Sequence, residues 1–459
     1  MNVTISNTIV IENPTDALKI WCQKNLAIPN PDYAKKARMH LWLGNTPPKL
    51  YLYEQHGNTL ILPFGALRQF PPEEAIYKSD FADPVMVDYG ADVPLYDYQT
   101  QAVEQVFAKH YGILQAPAGS GKTQMGIALI KRFRRRALWL THTLDLLKQS
   151  KDRAELYTPS ELIGTITEGK VNLGRGITFA TIQTMCKLDL AQYKDYWDVI
   201  VVDECHGVCG APTAMTMFSK VLNSLSARHK YGLSATVHRA DGLIVATHAL
   251  FGEIVYTVPE EAVGDRIMKA GINPIGTGIE LSKACQNTDG TLNYTKLISY
   301  LCESRERNTV ILNSILQNGN RPCLILSDRL NHLEFLMKSL PLTERRGAVM
   351  ISGKMTSKQG KAERERAIKD MRTGQKNLLF ATYNLCKEGL DIPRLERLFM
   401  TTPVKDYAVV VQSVGRIART WEGKSDPIAY DFVDNILYCV KAYKQRLKHY
   451  KKARCYICE

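Results

Sequence analysis

Nowhere in the chain do about 18 apolar residues run together, so the sequence offers no candidate membrane-spanning helix. The opening stretch "MNVTISNTIVIENP" has neither a basic start nor a long apolar core, which predicts no secretory leader. Low-complexity segments are missing, and no short internal repeat recurs. The 11 cysteines are odd in number and irregularly spaced, which fits reduced thiols in a cytoplasm better than a disulfide framework. What remains is a globular chain of 459 residues, 45% hydrophobic, with enough length for two to four domains. Its 59 Lys and Arg outnumber 46 Asp and Glu, for a net charge of +13. Such a surface suits an anionic partner such as nucleic acid, and serves equally for solubility.

From about residue 112 onward, short apolar runs alternate with amphipathic stretches, the pattern of parallel βα units. The runs fall into two sets. The first holds "GILQA", "ALWLTH", "GITFAT", "DVIVVDE" and "YGLSAT"; the second holds "PCLILSD", "AVMIS", "NLLFAT", "RLFMTT" and "IAYDFV". Because the runs are continuously apolar, each sheet is expected to be covered on both faces. The predicted fold class is α/β: two tandem parallel-sheet domains, 91–252 and 301–459, joined by a connector at 253–300. Residues 1–90 stand apart as a small accessory domain, with DNA binding as its candidate role, in which "KLYLYEQHGNTLILPFGAL" reads as a β-hairpin around "HGN".

Residues 115–123, "QAPAGSGKT", follow one such run and precede the helical pattern of "TQMGIALIKRF". A loop of small residues (Ala118, Gly119, Ser120, Gly121) opening a helix presents backbone N–H groups to phosphate oxygens. Lys122 would reach the terminal phosphates of a nucleoside triphosphate, and the Thr123 hydroxyl would meet Mg²⁺. The strict pattern begins with Gly, and here that position is Ala116. About 80 residues later, "VIVVDECHG" ends a buried strand on Asp203 and Glu204. Adjacent carboxylates there can divide labour, Asp203 holding Mg²⁺ through water and Glu204 orienting and deprotonating the attacking water.

In this order, "APAGSGKT", "VVDECHG", "YGLSATVHRADG" and "QSVGRIAR" resemble motifs I, II, III and VI of the superfamily 2 helicases. Between them, "LWLTHTLDLLKQ" and "FATIQTM" resemble strand-binding motifs of the family's first domain. "CLILSDRLNHLEFL" and "LLFATYNLCKEGLDIP" resemble motifs IV and V of its second. The phrases "VVDECHG", "SATVHRADG" and "KEGLDIP" most resemble the phage branch-migration helicases of the UvsW type and their duplex-DNA translocase relatives.

That resemblance implies two RecA-like lobes with ATP and Mg²⁺ in a cleft between them. It also implies a DNA partner, forked or branched, and a cytoplasmic location, the host's if the chain is phage-encoded. It places Gln99 of "LYDYQTQAV" on the adenine, although Tyr96 stands where relatives usually have a basic residue. Gly389 and Asp391 fall on the second lobe's side of the nucleotide, with Asp391 on the ribose. In "QSVGRIART", helical spacing puts Arg416 and Arg419 one turn apart as arginine fingers, with Gln412 one turn earlier to sense the same phosphate or contact the His206 side of the cleft. Ser234 and Thr236 of "SAT", with His206, would link the nucleotide to the nucleic-acid face.

Strand-end groups Thr141, Thr143, Thr181, Gln183 and Thr382 are candidates to hold nucleic-acid phosphates, or else are local caps. Arg239 and Asp241 in "HRADG" fit either a DNA contact or a surface ion pair. The tail "KAYKQRLKHYKKARCYICE" is a basic helix, for DNA backbone or for solubility. It ends in Cys455 and Cys458, half a zinc site that Cys439 or His449 would complete only loosely, so structural zinc is not expected. Cys205 and Cys209 read as packing residues. The leading expectation is an ATP-dependent DNA helicase or translocase for branched DNA. Its competitors are the motor of a restriction or defence complex, which would need a partner because no nuclease motif is present, and an ATP-gated nucleic-acid clamp.

Overall fold

The computed structural model describes residues 1–69, 74–117, 119–206, 212–235, 244–264, 267–355, 357–387 and 390–458. The chain divides into two units, Met1–Val263 and Gly264–Glu459.

The first unit is built on an 8-stranded sheet. Its centre is Val199–Asp203, flanked by Ala137–Thr141 on one side and His229–Ser234 on the other. Tyr111–Gln115 follows His229–Ser234, and Ile177–Thr181 follows Ala137–Thr141. These pairings are parallel, and the strands Ala137–Thr141, Ile177–Thr181 and Val199–Asp203 are buried at every position. That is what continuous apolar runs produce when helices cover both faces. The sheet is extended by Ile163–Thr167, which forms an antiparallel pair with Lys170–Asn172, and at its other edge by Ile254–Thr257.

Residues 1–79 form a second sheet of 5 strands in the same unit. Thr8–Glu12 lies between Asn2–Ile5 and Thr59–Pro63, antiparallel to both. The hairpin expected around "HGN" is present, pairing Glu54–His56 with Thr59–Pro63. Val3, Ile9, Ile11, Leu18, Cys22, Leu60 and Leu62 make a core of its own. Yet this small sheet is fastened to the large one. Gly65 packs so closely on Gly252 that a Cβ there would fall 2.3 Å from the Gly252 nitrogen. Buried Lys230 donates to the carbonyl oxygens of Asn7 at 3.0 Å and Leu222 at 2.8 Å. The accessory region of 1–90 therefore has its own sheet and core but belongs to the first unit.

The second unit holds a 7-stranded sheet. Its order is Ala348–Met350, Leu378–Thr382, Cys323–Ser327, Arg397–Met400, Ile428–Val433, Gly271–Gly276 and Tyr456–Ile457, parallel throughout. The predicted connector 253–300 is corrected here. Ile254–Thr257 is an edge strand of the first unit, and Gly271–Gly276 is an interior strand of the second. The stretch is divided between the two sheets, with the boundary at Val263. Among the described residues, no helix is long and apolar enough to cross a membrane.

Candidate nucleotide site and its supporting elements

The phosphate loop runs from Tyr111–Gln115 into the helix Lys122–Phe133. The helix is capped by Gly121 at φ 82°, a left-handed conformation that glycine adopts without strain. A Cβ on Gly121 would fall 2.4 Å from Gln99 Nε2, so the glycine also makes room for that amide. Gln99 is buried, donating to the Ser120 carbonyl at 2.9 Å and accepting from the Tyr96 backbone N–H at 3.0 Å. The adjacent Tyr98 hydroxyl donates to the same Ser120 oxygen at 2.9 Å. In this structure Gln99 thus spends its amide on shaping the loop, with Tyr98 as a second support that the sequence reading missed. Ala116 is fully buried, and its N–H donates to the Ser234 carbonyl at 2.9 Å, so the methyl in place of Gly is accommodated.

Lys122 Nζ lies 3.6 Å from Glu204 Oε1 and 3.5 Å from the Ala116 carbonyl. Thr123, half-buried, follows on the first turn. Asp203 accepts from Ser150 Oγ at 3.2 Å and from the Glu204 N–H at 3.0 Å. Burial pushes its carboxyl up to about 6; the neighbouring Glu204 charge adds to the rise, and Lys122 opposes it. Glu204 has φ 51°, and this left-handed turn follows directly on the strand end. Its Oε2 is 3.2 Å from His206 Nδ1, which is itself 3.0 Å from Ser234 Oγ. Lys122, Glu204, His206 and Ser234 therefore form one continuous polar chain. His142 lies near it, its imidazole held below the usual range first by burial and then by the His206 charge.

Two desolvated carboxylates with a single lysine beside them carry excess negative charge, and their hard oxygen donors, with the Thr123 hydroxyl, suit Mg²⁺. The helix N-terminus and Lys122 suit a polyphosphate.

The strand-end hydroxyls divide into two kinds. Thr141 and Thr181 are buried, the first donating to the Thr143 carbonyl at 3.0 Å and the second sharing a bond with Thr184 Oγ1 at 2.9 Å. Direct phosphate contact by these two is corrected, since burial turns their hydroxyls inward onto their own loops. Thr143 caps the helix Leu144–Glu155, accepting from the Leu146 N–H at 3.3 Å. Gln183 is exposed and donates to the His142 carbonyl at 2.8 Å. In the second unit Thr382, half-buried, ends the strand Leu378–Thr382.

The helix carrying Gln412 and Arg416 runs Tyr407–Ile417 and is capped at Ala418. Arg419 is therefore past its end, in an isolated bridge with Ile267, and the expected helical pairing of Arg416 with Arg419 is corrected. Arg416 Nε donates to the Cys386 carbonyl at 3.0 Å. Arg419 instead pairs with Asp391 Oδ1, while Arg372 Nη2 holds Asp391 Oδ2 at 3.2 Å. The carboxylate expected on a ribose is held here between two guanidiniums. Burial, then the Arg416 charge, brings the Arg419 guanidinium down to about 10. Gln412 is buried and its Oε1 has no hydrogen-bond partner among the described residues. Ala118, Thr236, Arg239, Asp241, Gly389 and Cys209 lie outside the described residues.

Cys205 is fully buried in the core, as a packing residue. Cys455 and Cys458 flank the edge strand Tyr456–Ile457, and among the described residues no three His, Cys, Asp or Glu side chains gather as a metal site.

Residues 92–239 match the family described as "Type III restriction enzyme, res subunit", and residues 306–420 match "Helicase conserved C-terminal domain". A protein of Acanthamoeba polyphaga mimivirus, named as a candidate ATP-dependent RNA helicase, is 27% identical over 70% of this chain and 60% of its own length. A probable helicase of Escherichia phage T5 is 26% identical over 70% of this chain and 67% of its own. A DNA 3′–5′ translocase of Sulfurisphaera tokodaii is 24% identical over 71% of this chain and 79% of its own. The chain thus spans 60% of the mimivirus relative. Among solved structures, Saccharomyces cerevisiae Dbp5 bound to RNA and ADP BeF3 superposes with a TM-score of 0.58 at 16% identity, over 79% of this chain and 89% of its own. UvsW of phage T4 aligns over 100% of this chain and 99% of its own, at 17% identity and a TM-score of 0.43. The Dbp5 likeness shows that each parallel sheet is a RecA-like fold. With the two family matches following one another in the same chain as the motifs, the protein belongs to superfamily 2 of the helicases and translocases.

Proposed function

We propose that this chain hydrolyses ATP at the Lys122 site and uses the cycle to move on DNA and separate its strands, with forks and four-way junctions as substrates. The observation that supports it above all is the polar chain from Lys122 through Glu204 and His206 to Ser234. The loop amides and Lys122 bind the phosphates; Thr123 and Asp203 would hold Mg²⁺. When bound, that ion draws charge from the phosphoryl oxygens. Glu204 orients a water and accepts its proton at a carboxylate oxygen, and His206 keeps the carboxylate aimed. Because His206 also bonds Ser234, a change in the charge on Glu204 is felt at the end of the next strand. Arg416, from the second unit, supplies positive charge to the departing phosphoryl group, so that ATP and ADP favour different arrangements of the chain. Phosphate contacts from Thr143, Gln183, Thr382 and nearby backbone amides hold a strand without reading its sequence, so binding weakens with salt.

The relatives' names point both to DNA and to RNA, and the DNA reading rests on the UvsW-like phrases and on the translocase relative. Purified full-length protein, tested on a fork, a four-way junction and an RNA duplex, is expected to unwind the DNA substrates in an ATP-dependent way. Glu204→Gln is expected to lower turnover by roughly 10²–10⁴-fold while nucleotide binding persists. Preference for RNA would overturn the substrate, and unchanged turnover would overturn the site. A second reading is favoured by the restriction-subunit family match: a motor that tracks duplex DNA without opening it. Displacement of a triplex strand without unwinding would select that reading.

A further inference from the structure

In the first unit, residues 31–51 contain no fully buried side chain. The segment is nonetheless well specified. Asn30 caps the helix Pro31–Arg38, accepting from the Asp32 N–H at 3.0 Å, and its Nδ2 donates to the Pro47 carbonyl at 2.8 Å. Lys36 Nζ donates to Thr46 Oγ1 at 2.7 Å, and the strands Ala27–Pro29 and Lys49–Tyr51 pair at the base. The result is a flap with a closed base and an ordered tip.

At that tip Met39 is 54%, Leu41 53% and Trp42 88% exposed, Trp42 being the most exposed large apolar side chain among the described residues. Gly44 has φ +50°, and a Cβ on it would fall 2.9 Å from the Trp42 ring, so one edge of the ring lies over bare backbone. The same segment carries Lys35 and Arg38 on its helix and Lys49 at its base, all exposed, with Asp32 the single acidic residue of the flap. A purely apolar partner would gain nothing from these cations. A polyanion whose units carry flat π-faces would use both features, phosphates on the cations and a base on the ring.

We propose that this flap is a nucleic-acid site in which an unpaired base stacks on Trp42 while flanking phosphates meet Lys35, Arg38 and Lys49. It rests on the reading of nucleic acid as the substrate, and adds a grip outside the nucleotide-binding motifs. Such a grip would engage a strand end or fork, where bases are unstacked.

The test uses the full-length chain, with a fluorescein-labelled fork bearing single-stranded arms read by anisotropy, and with turnover at saturating single-stranded DNA. Trp42→Ala is expected to weaken fork binding by roughly five- to a hundredfold, the loss of one base–aromatic stack, with maximal ATP turnover unchanged. Trp42→Phe should retain most of the affinity, and Gly44→Ala, which pushes the ring off its seat, should fall between. Fork affinity equal to the parent in Trp42→Ala, with DNA-stimulated turnover intact, would sink the flap proposal alone. A parent protein that neither binds the fork nor responds to DNA would sink it together with the proposed function. Binding of the parent to anionic phosphatidylserine vesicles, lost in Trp42→Ala while fork binding is kept, would assign the flap to a membrane surface and overturn the proposal.

Discussion

In the first unit the charged groups of the candidate site find one another: Lys122 approaches Glu204 at 3.6 Å, and Glu204 reaches His206 at 3.2 Å. In the second, the arginines find local acceptors instead, Arg416 on the Cys386 carbonyl and Arg419 on Asp391. Both units are built on largely parallel sheets, so the type of sheet does not account for the difference. It lies in the partners: in the first unit a lysine, a carboxylate and an imidazole face one another, whereas in the second Arg416 is engaged by a backbone carbonyl and Arg419 by a carboxylate. Under the proposed function the first set binds the phosphates and the second changes partner during the cycle.

The comparison is broken most directly at Arg416. Arg416→Ala is expected to lower turnover by roughly 10³-fold, the scale of an arginine finger, while binding of a fluorescent ATP analogue stays within a few-fold of the parent. If analogue binding falls as far as turnover, Arg416 belongs to ground-state binding, and the division between a binding unit and a triggering unit fails. A smaller effect is expected inside the first unit. Ser234→Ala removes the last bond of the polar chain but no group that touches phosphate, so turnover should fall no more than about tenfold. Base pairs opened per ATP should fall further. Equal losses in both would mean that Ser234 supports the fold of the site and does not transmit its state.

The sequence was most legible where burial is complete. Each of the quoted apolar runs is a strand, and most are buried along nearly their whole length, as strands covered on both faces are; Ala348–Met350 and Ile428–Val433 are apolar in sequence but only partly buried. Strands that escaped notice are those with other constraints. Ile163–Thr167 alternates between buried and half-buried positions, Gly271–Gly276 carries Pro274 and two glycines, and Tyr456–Ile457 is two residues long. In the site, charged residues announced themselves by type and spacing. Their partners did not: Ser150 reaches Asp203 from a helix 53 positions earlier, a contact that only the fold creates. The expected pairing of Arg416 with Arg419 on one helix face failed because the helix is capped at Ala418. Periodicity shows where a helix can run, and says little about where it stops.

A last expected effect, on stability and not on turnover, concerns how the N-terminal sheet is joined to the rest of its unit. Lys230 is buried on the strand His229–Ser234, donating to the Asn7 and Leu222 carbonyls and lying 4.9 Å from the centre of the Phe64 ring. Burial brings its amine down to about 7 from an ordinary 10.5. Between those values the unfolded chain carries a proton on this lysine that the folded chain lacks, so this group makes stability rise with pH across the window. Below about 7 both states are charged, and folding bears the full cost of burying the cation. A Lys230→Met variant has no such dependence at this position. The stability of the parent minus that of the variant, from urea titrations, should therefore grow by up to about 2 kcal/mol between pH 7 and pH 9. A flat difference would mean that the amine stays charged in the folded protein, with the two carbonyls and the Phe64 ring sufficient to hold it so.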